Sequence, residues 1–265
     1  MPLSDDQLVK PGDRVLLYLD SRRTWLLQVS GETQNFHTHA GIVDLKNIVG
    51  KKYGDTVRTT MNECICILKP TVVDYIMKSE RRTQIVYPKD FAYIATRSGI
   101  RSGSRVLECG TGSGALTSFF ASLVAPSGFV RTFEERSDFF EIAKKNISKA
   151  GMIEYTRMEN VNLRDANILD ESTYDLVMLD TGDPWLLLDK AHAALKGSGF
   201  VFCICPTTNQ LEIVAEQLSQ KFVDIESIEI MFRRIEARTG RTRPSTRMVG
   251  HTCYLCSARK INPEN

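Results

Sequence analysis

Glu108 stands two residues before three alternating glycines, Gly110, Gly112 and Gly114, in the stretch RVLECGTGSGALTS (105–118). The glycines follow an apolar, strand-like segment and open a helix-like one. A glycine-rich turn from strand to helix lets a ligand approach the backbone closely. In a dinucleotide enzyme the helix start then meets a pyrophosphate. The spacing here is tighter than G-x-G-x-x-G, and Glu108 argues for a different ligand. A carboxylate beside the turn favours a cation over an anion. Glu134 closes the next strand-like segment, where an acid accepts hydrogen bonds from both hydroxyls of a ribose. Two other readings compete: a turn that merely packs helix on strand, and a nicotinamide site, which Glu108 disfavours.

Further candidates lie downstream. Asp180 ends the strand-like run in VMLDTGDPW (177–185). Ligands of doubly wound sheets bind beyond the carboxyl ends of the strands, so Asp180 is expected at the reacting centre. The alternative is a strand-end aspartate capping the next helix. Asp165, in NLRDANI (162–168), follows the expected third strand; a solvated loop acid is its plain alternative. Tyr87 precedes Pro88, which biases its backbone to an extended form. Its ring is then expected to cover a pocket mouth; the alternative is an ordinary tyrosine at a helix start. FRRIEARTGRTRPSTR (232–247) carries Arg233, Arg234, Arg238, Arg241, Arg243 and Arg247 against the single acid Glu236. Such a loop is a candidate phosphate clamp, or else a solvated charged face. His37 and His39 could share a strand face but lack a third metal ligand, and no metal is expected.

These residues need a scaffold to position them. The first 70 residues contain short β-type runs at 13–20, 24–30, 41–50 and 64–70, divided by Gly, Asp and Asn clusters, as in a small β-barrel or sandwich. After Pro70 the pattern changes. TVVDYIMKSER (71–81) has helical spacing, and strands then alternate with helices from 105 to 221. That alternation predicts a parallel doubly wound sheet with helices on both faces. Two last β-type stretches, 225–237 and 251–260, have no helix between them and predict an antiparallel hairpin at one edge. The 265 residues are 42% hydrophobic and 25% charged, with a net charge of +2. RNA binding would therefore need a local patch, not a global field. The opening MPLSDDQLVKPGDR does not read as a signal peptide, and no apolar run nears the roughly 18 residues of a membrane span. The seven cysteines sit in apolar contexts and read as small buried hydrophobes of a reducing compartment.

Acid-x-Gly-x-Gly-x-Gly with an acid at the second strand tip resembles the class I S-adenosylmethionine methyltransferases from about residue 85 onward. IVYPKDFAYI (85–94), ECGTGSGALT (108–117), FEER (133–136), LDTGDPW (179–185) and RPSTRMVGHTCYL (243–255), in that order, resemble the tRNA adenine-N1 methyltransferase family. FHTHAGIV (36–43) resembles that family's small β domain. The resemblance implies a Rossmann-like α/β fold with a seven-stranded doubly wound sheet, an antiparallel edge hairpin and a small N-terminal β domain (1–70, then 71–265 with linking helices over 71–100). It implies S-adenosylmethionine as cofactor, held by Glu108, Gly110, Gly112, Ser113, Gly114, Ala115, Leu116, Glu134, Asp165, Ala166 and Asp180. Asp165 and Ala166 would meet the adenine. Asp180 and Tyr87 would serve the methyl acceptor, N1 of adenosine 58 in the tRNA T-arm, in some members also 57. The loop departs from the family's usual Asp-Leu-Pro or Asp-Leu-Met at Thr181 and Gly182. A cytoplasmic homotetramer binding tRNA is the expected assembly. A non-catalytic RNA-binding partner subunit, and a methyltransferase for small molecules or proteins, are the alternatives.

Overall fold

The computed structural model describes residues 7–82, 84–162, 164–165 and 170–262. The chain forms two compact units, divided after Ser79. In the first, β1 (Arg14–Asp20) pairs antiparallel with β2 (Arg23–Gln28) and β6 (Cys64–Leu68), and β5 (Thr56–Arg58) extends the sheet beside β6. β3 (Asn35–Thr38) and β4 (Gly41–Asp44) form a separate hairpin. Val15 and Leu17 on β1, and Ile65 and Ile67 on β6, alternate inward and are fully buried, the period-two pattern of a half-covered sheet. The run 41–50 is strand only to Asp44, whose side chain accepts from Lys46 N–H and turns the chain into a 3-10 turn over 45–48. Helix α1 (Val72–Lys78) opens on a reciprocal cap between Thr71 and Asp74 and packs on β2. The first unit thus runs past residue 70, where the composition changes.

The second unit holds the mixed sheet. Its strands are β7 (Arg105–Cys109), β8 (Phe129–Phe133), β9 (Thr156–Glu159), β10 (Tyr174–Leu179), β11 (Leu195–Cys205), β12 (Phe222–Glu229) and β15 (Tyr254–Lys260), in the order β12-β15-β11-β10-β7-β8-β9. β7 to β11 pair in parallel, whereas β15 runs antiparallel to both β11 and β12. Helices α2 (Pro88–Ser98), α3 (Ala115–Val124), α4 (Ser137–Lys149), α5 (Leu188–Ala194) and α6 (Thr208–Leu218) accompany it. β10 buries Tyr174 and every residue from Leu176 to Leu179, as a parallel strand covered on both faces must. α4 buries Phe139, Ile142, Ala143, Asn146 and Ile147, one helical stripe at i, i+3, i+4, i+7 and i+8. Chain order reverses between β7 and β10, so a crevice opens at their carboxyl ends.

The two closing strands differ in extent from the sequence reading. β12 ends at Glu229 instead of continuing to 237, and β15 begins at Tyr254 instead of 251. β15 also lies inside the sheet, between β11 and β12, which leaves β12 at the edge. The segment between them carries a small hairpin, β13 (Ile235–Glu236) with β14 (Arg243–Pro244). Five cysteines are buried, but Cys64 is exposed and Cys66 partly so, a correction to the uniform reading of all seven. Burial pushes the Cys109 and Cys205 thiols up to about 12, so neither is a thiolate near neutrality.

Candidate active site

β7 delivers Glu108 to the crevice, and the glycine turn then reverses the chain into α3. Gly110 has φ +94, and a Cβ there would fall 2.0 Å from the Asp180 carbonyl oxygen. Glycine is required because the turn passes directly against the β10 loop, where Asp180 N–H donates to Cys109 O at 2.8 Å. Gly112 also has positive φ, +56, but a Cβ there would meet nothing within 4 Å. One glycine is thus dictated by the protein's own packing. The other leaves free space beside the cleft.

Glu108 is 1% exposed. Its Oε2 accepts from the Thr117 hydroxyl, while its Oε1 has no partner among the described residues. Burial pushes this carboxyl up to about 8, and the Asp180 and Glu134 charges add to the rise. Glu134, just past β8, is also buried. Its Oε2 accepts from Gly112 N–H at 2.9 Å and its Oε1 from Arg136 N–H at 3.1 Å. Asp180 keeps some exposure to the cleft, yet desolvation raises it to about 6, with Glu134 contributing. Glu108, Glu134 and Asp180 meet in one cleft of about 560 Å³, whose lining also includes Glu135, Asp183, Arg136 and Arg164. Carboxyls clustered and raised in a desolvated crevice make it a candidate functional site and favour a positive ligand.

The lining includes Glu108, Gly110, Gly112, Ser113, Ala115, Leu116, Glu134 and Asp180, all expected from sequence. Gly114 does not line the cleft; a Cβ there would meet the Ile147 side chain at 2.8 Å, so this glycine seats α3 on α4. Asp165 is exposed and outside the lining, because the turn after β9 presents Val161, Asn162 and Arg164 instead. Ala166 lies outside the described residues. Tyr87 has the extended backbone expected before proline and occupies the N-cap position of α2 without a side-chain capping bond. The cleft wall there is Gln84, Ile85 and Val86, not Tyr87.

Sequence reasoning missed the supports of the Asp180 loop. Gln210 Nε2 donates to Gly182 O at 2.8 Å, while its Oε1 completes the reciprocal cap of α6 with Thr207. The cap signature was readable; its reach into the loop was not. Arg164 pairs with Asp183 at 2.9 Å and so ties the β9 turn to the β10 loop. The six arginines of 233–247 are all exposed. Arg243 pairs with Glu236 at 3.3 Å; the other five guanidinium groups form no ion pair among the described residues.

A seven-stranded, mostly parallel sheet with a glycine turn and strand-tip acids at its switch point defines a Rossmann-like methyltransferase fold. Residues 63–242 match the family described as "tRNA methyltransferase complex GCD14 subunit", and the chain belongs to that family. It is 33% identical to the tRNA (adenine(57)-N(1)/adenine(58)-N(1))-methyltransferase TrmI of Methanocaldococcus jannaschii, over 94% of this chain and 95% of that protein. It is also 33% identical to the tRNA (adenine(58)-N(1))-methyltransferase TrmI of Thermus thermophilus, over 92% and 96%. Among solved structures, TrmI from Aquifex aeolicus superposes with a TM-score of 0.85 at 31% identity, covering 97% of this chain and 100% of that one. A Thermotoga maritima protein described as a SAM-dependent O-methyltransferase superposes at 0.91 with 37% identity, over 99% and 98%.

Proposed function

We propose that this protein methylates N1 of adenosine 58 in the T-arm of tRNA, using S-adenosylmethionine. The observation that carries the reading is the convergence of Glu108, Glu134 and Asp180 on one cleft. The residues present fit the donor. Glu108 Oε1 is a buried acceptor without a donor among the described residues, and an ammonium or sulfonium group supplies the missing positive charge. Glu134 retains carboxylate lone pairs for ribose hydroxyls. Gly112 leaves room beside the backbone. When bound, the donor supplies an activated methyl group and its own leaving group.

The protein's task is then placement and charge. Adenine N1 already carries a lone pair, so no base need remove a proton from it. Asp180, held by its own N–H to Cys109 O, accepts from the exocyclic amine and stabilises the positive charge that grows on the ring. Preorganised groups of this kind contribute about 10²- to 10³-fold in rate. Tyr87 follows the Ile85–Val86 wall in the chain, outside the cleft lining, and in this reading it covers the extruded base at the cleft mouth. The five arginines without an ion pair among the described residues bind tRNA phosphates. Met231, Phe232, Ile235, Met248 and Val249 are exposed along the same segment, which supports burial against further copies in a homotetramer.

Primer extension tests the reading, because methylation at N1 blocks the pairing edge of adenine and stops reverse transcriptase. Unmodified tRNA incubated with the protein and donor should acquire a stop in the T-arm. A donor-dependent product elsewhere, or none, would refute the assignment.

A further inference from the structure

The dipeptide His251-Thr252 lies just beyond the arginine segment and touches three elements of the second unit. His251 Nε2 is 3.0 Å from Pro206 O, and its Nδ1 is 2.7 Å from Glu229 Oε1. A carbonyl oxygen can only accept, and so can a carboxylate. Both ring nitrogens must therefore donate, which makes His251 an imidazolium wherever both bonds hold. The Glu229 bond raises its pKa in the same sense. Thr252 continues the contact on the other side: its hydroxyl accepts from Lys89 Nζ at 2.6 Å and donates to Asp90 Oδ2 at 3.1 Å. Asp90 is fully buried and bonded to Lys89 at 2.6 Å. Both belong to the first turn of α2, directly behind Tyr87.

The residues that His251 holds lead into the cleft. Pro206 lines it. Thr207, the next residue, caps α6 together with Gln210, and Gln210 donates to Gly182 O in the Asp180 loop. One short stretch of chain thus bridges the end of the arginine segment, the Pro206 wall, the α2 start and, through α6, the loop of the reacting carboxylate.

We propose that His251 is a positioning residue for methyl transfer, a doubly donating clamp that fixes the Pro206 wall and the α6 start at the end of the RNA-binding segment. It lies outside the cleft lining. Its effect reaches Asp180 through Pro206, Gln210 and Gly182, and Thr252 secures the opposite side against α2. The charged groups acting on it are Glu229 from β12, which raises its pKa, and Lys89 from α2, which opposes that rise. This inference rests on the methyltransferase reading for its kinetic consequence, but not for its structural one.

The test therefore has two arms. In the kinetic arm, His251→Ala should lower kcat on unmodified tRNA about 10- to 100-fold, the cost of a small displacement of reacting groups. Its dissociation constant for S-adenosylmethionine should stay within about twofold of the parent's. His251→Gln keeps one donor for Pro206 and should recover part of the loss. A folded His251→Ala protein with parental kcat would overturn the proposal, as would an equal loss of donor binding. In the structural arm, NMR titration of the unmodified protein should place the His251 midpoint above that of an ordinary histidine. The amide signals of Thr207, Gln210 and Gly182 should move with the same midpoint, and Glu229→Gln should lower it. Silent amides, or a midpoint that Glu229→Gln leaves unchanged, would overturn the proposal even if His251→Ala failed to fold. An inactive parent protein with coupled amides would instead count against the methyltransferase reading alone.

Discussion

Gly110 and Gly112 are two residues apart, both have positive φ, and their surroundings give them opposite consequences on substitution. Gly110→Ala would place a methyl group 2.0 Å from the Asp180 carbonyl oxygen, with the Asp180 carbonyl carbon at 2.9 Å. Both atoms are backbone, so relief requires moving the β10 loop or the turn. A left-handed conformation alone costs a non-glycine residue about 1–2 kcal/mol, and overpacking adds about 1–3 kcal/mol. The expected loss is about 2–5 kcal/mol of stability, with activity falling further because the displaced atoms belong to Asp180. Gly112→Ala meets no neighbour, so only the conformational cost of about 1–2 kcal/mol applies. Its methyl group projects into open space beside the cleft, where the donor is proposed to pass. Urea denaturation and equilibrium dialysis with S-adenosylmethionine separate the two effects. Gly110→Ala should move the unfolding midpoint far more than Gly112→Ala, whereas Gly112→Ala should weaken donor binding while remaining folded. Equal stabilities, or undiminished binding by Gly112→Ala, would refute the assignment of one glycine to packing and the other to the ligand.

Other outcomes follow from the same geometry. Glu108 titrates at about 8 when folded, above its ordinary 4.5. Between those values the native state holds a proton that the unfolded chain lacks, so this group makes stability fall as pH rises. Glu108→Gln should flatten that decline in urea titrations over about pH 5–8, and a slope identical to the parent's would contradict the burial argument. Binding of a cationic donor at neutral pH should release up to about one proton from Glu108, visible in calorimetry as a dependence of heat on buffer ionisation; no such dependence would exclude an interaction with this acid. Replacing Arg238 and Arg241 by Ala should weaken tRNA binding and reduce the salt slope by about 0.7–0.9 for each phosphate no longer neutralised. An unchanged slope would show a solvated face.

The glycine turn and its acids were legible because they are local. Glycine spacing, a preceding apolar strand and an acid at each strand tip are all readable within 105–134, and the turn sits at the carboxyl end of β7 as that pattern requires. Asp180 was legible because strand ends point at the crevice. Gly114 was read with its neighbours as touching the ligand, yet its closeness to Ile147 on α4 is a tertiary matter that spacing does not encode. Asp165 read either as an adenine contact or as a solvated loop acid, and the turn after β9 directs Arg164 and Asn162 to the cleft instead. The supports were hidden for the same reason. Lys89 and Thr252 meet across 163 positions, and nothing in either segment announces the other. Likewise, the insertion of β15 inside β12 depends on sheet pairing, which alternation of apolar residues leaves open.

The central claim is that Asp180 acts on the acceptor while other residues hold the donor. Single-turnover methylation of unmodified tRNA by Asp180→Asn, measured beside its dissociation constant for S-adenosylmethionine, tests this most directly. The expected rate lies about 10²- to 10³-fold below the parent's, with donor affinity changed little. A rate near the parent's, or a loss of donor binding that matches the loss of rate, would contradict the claim.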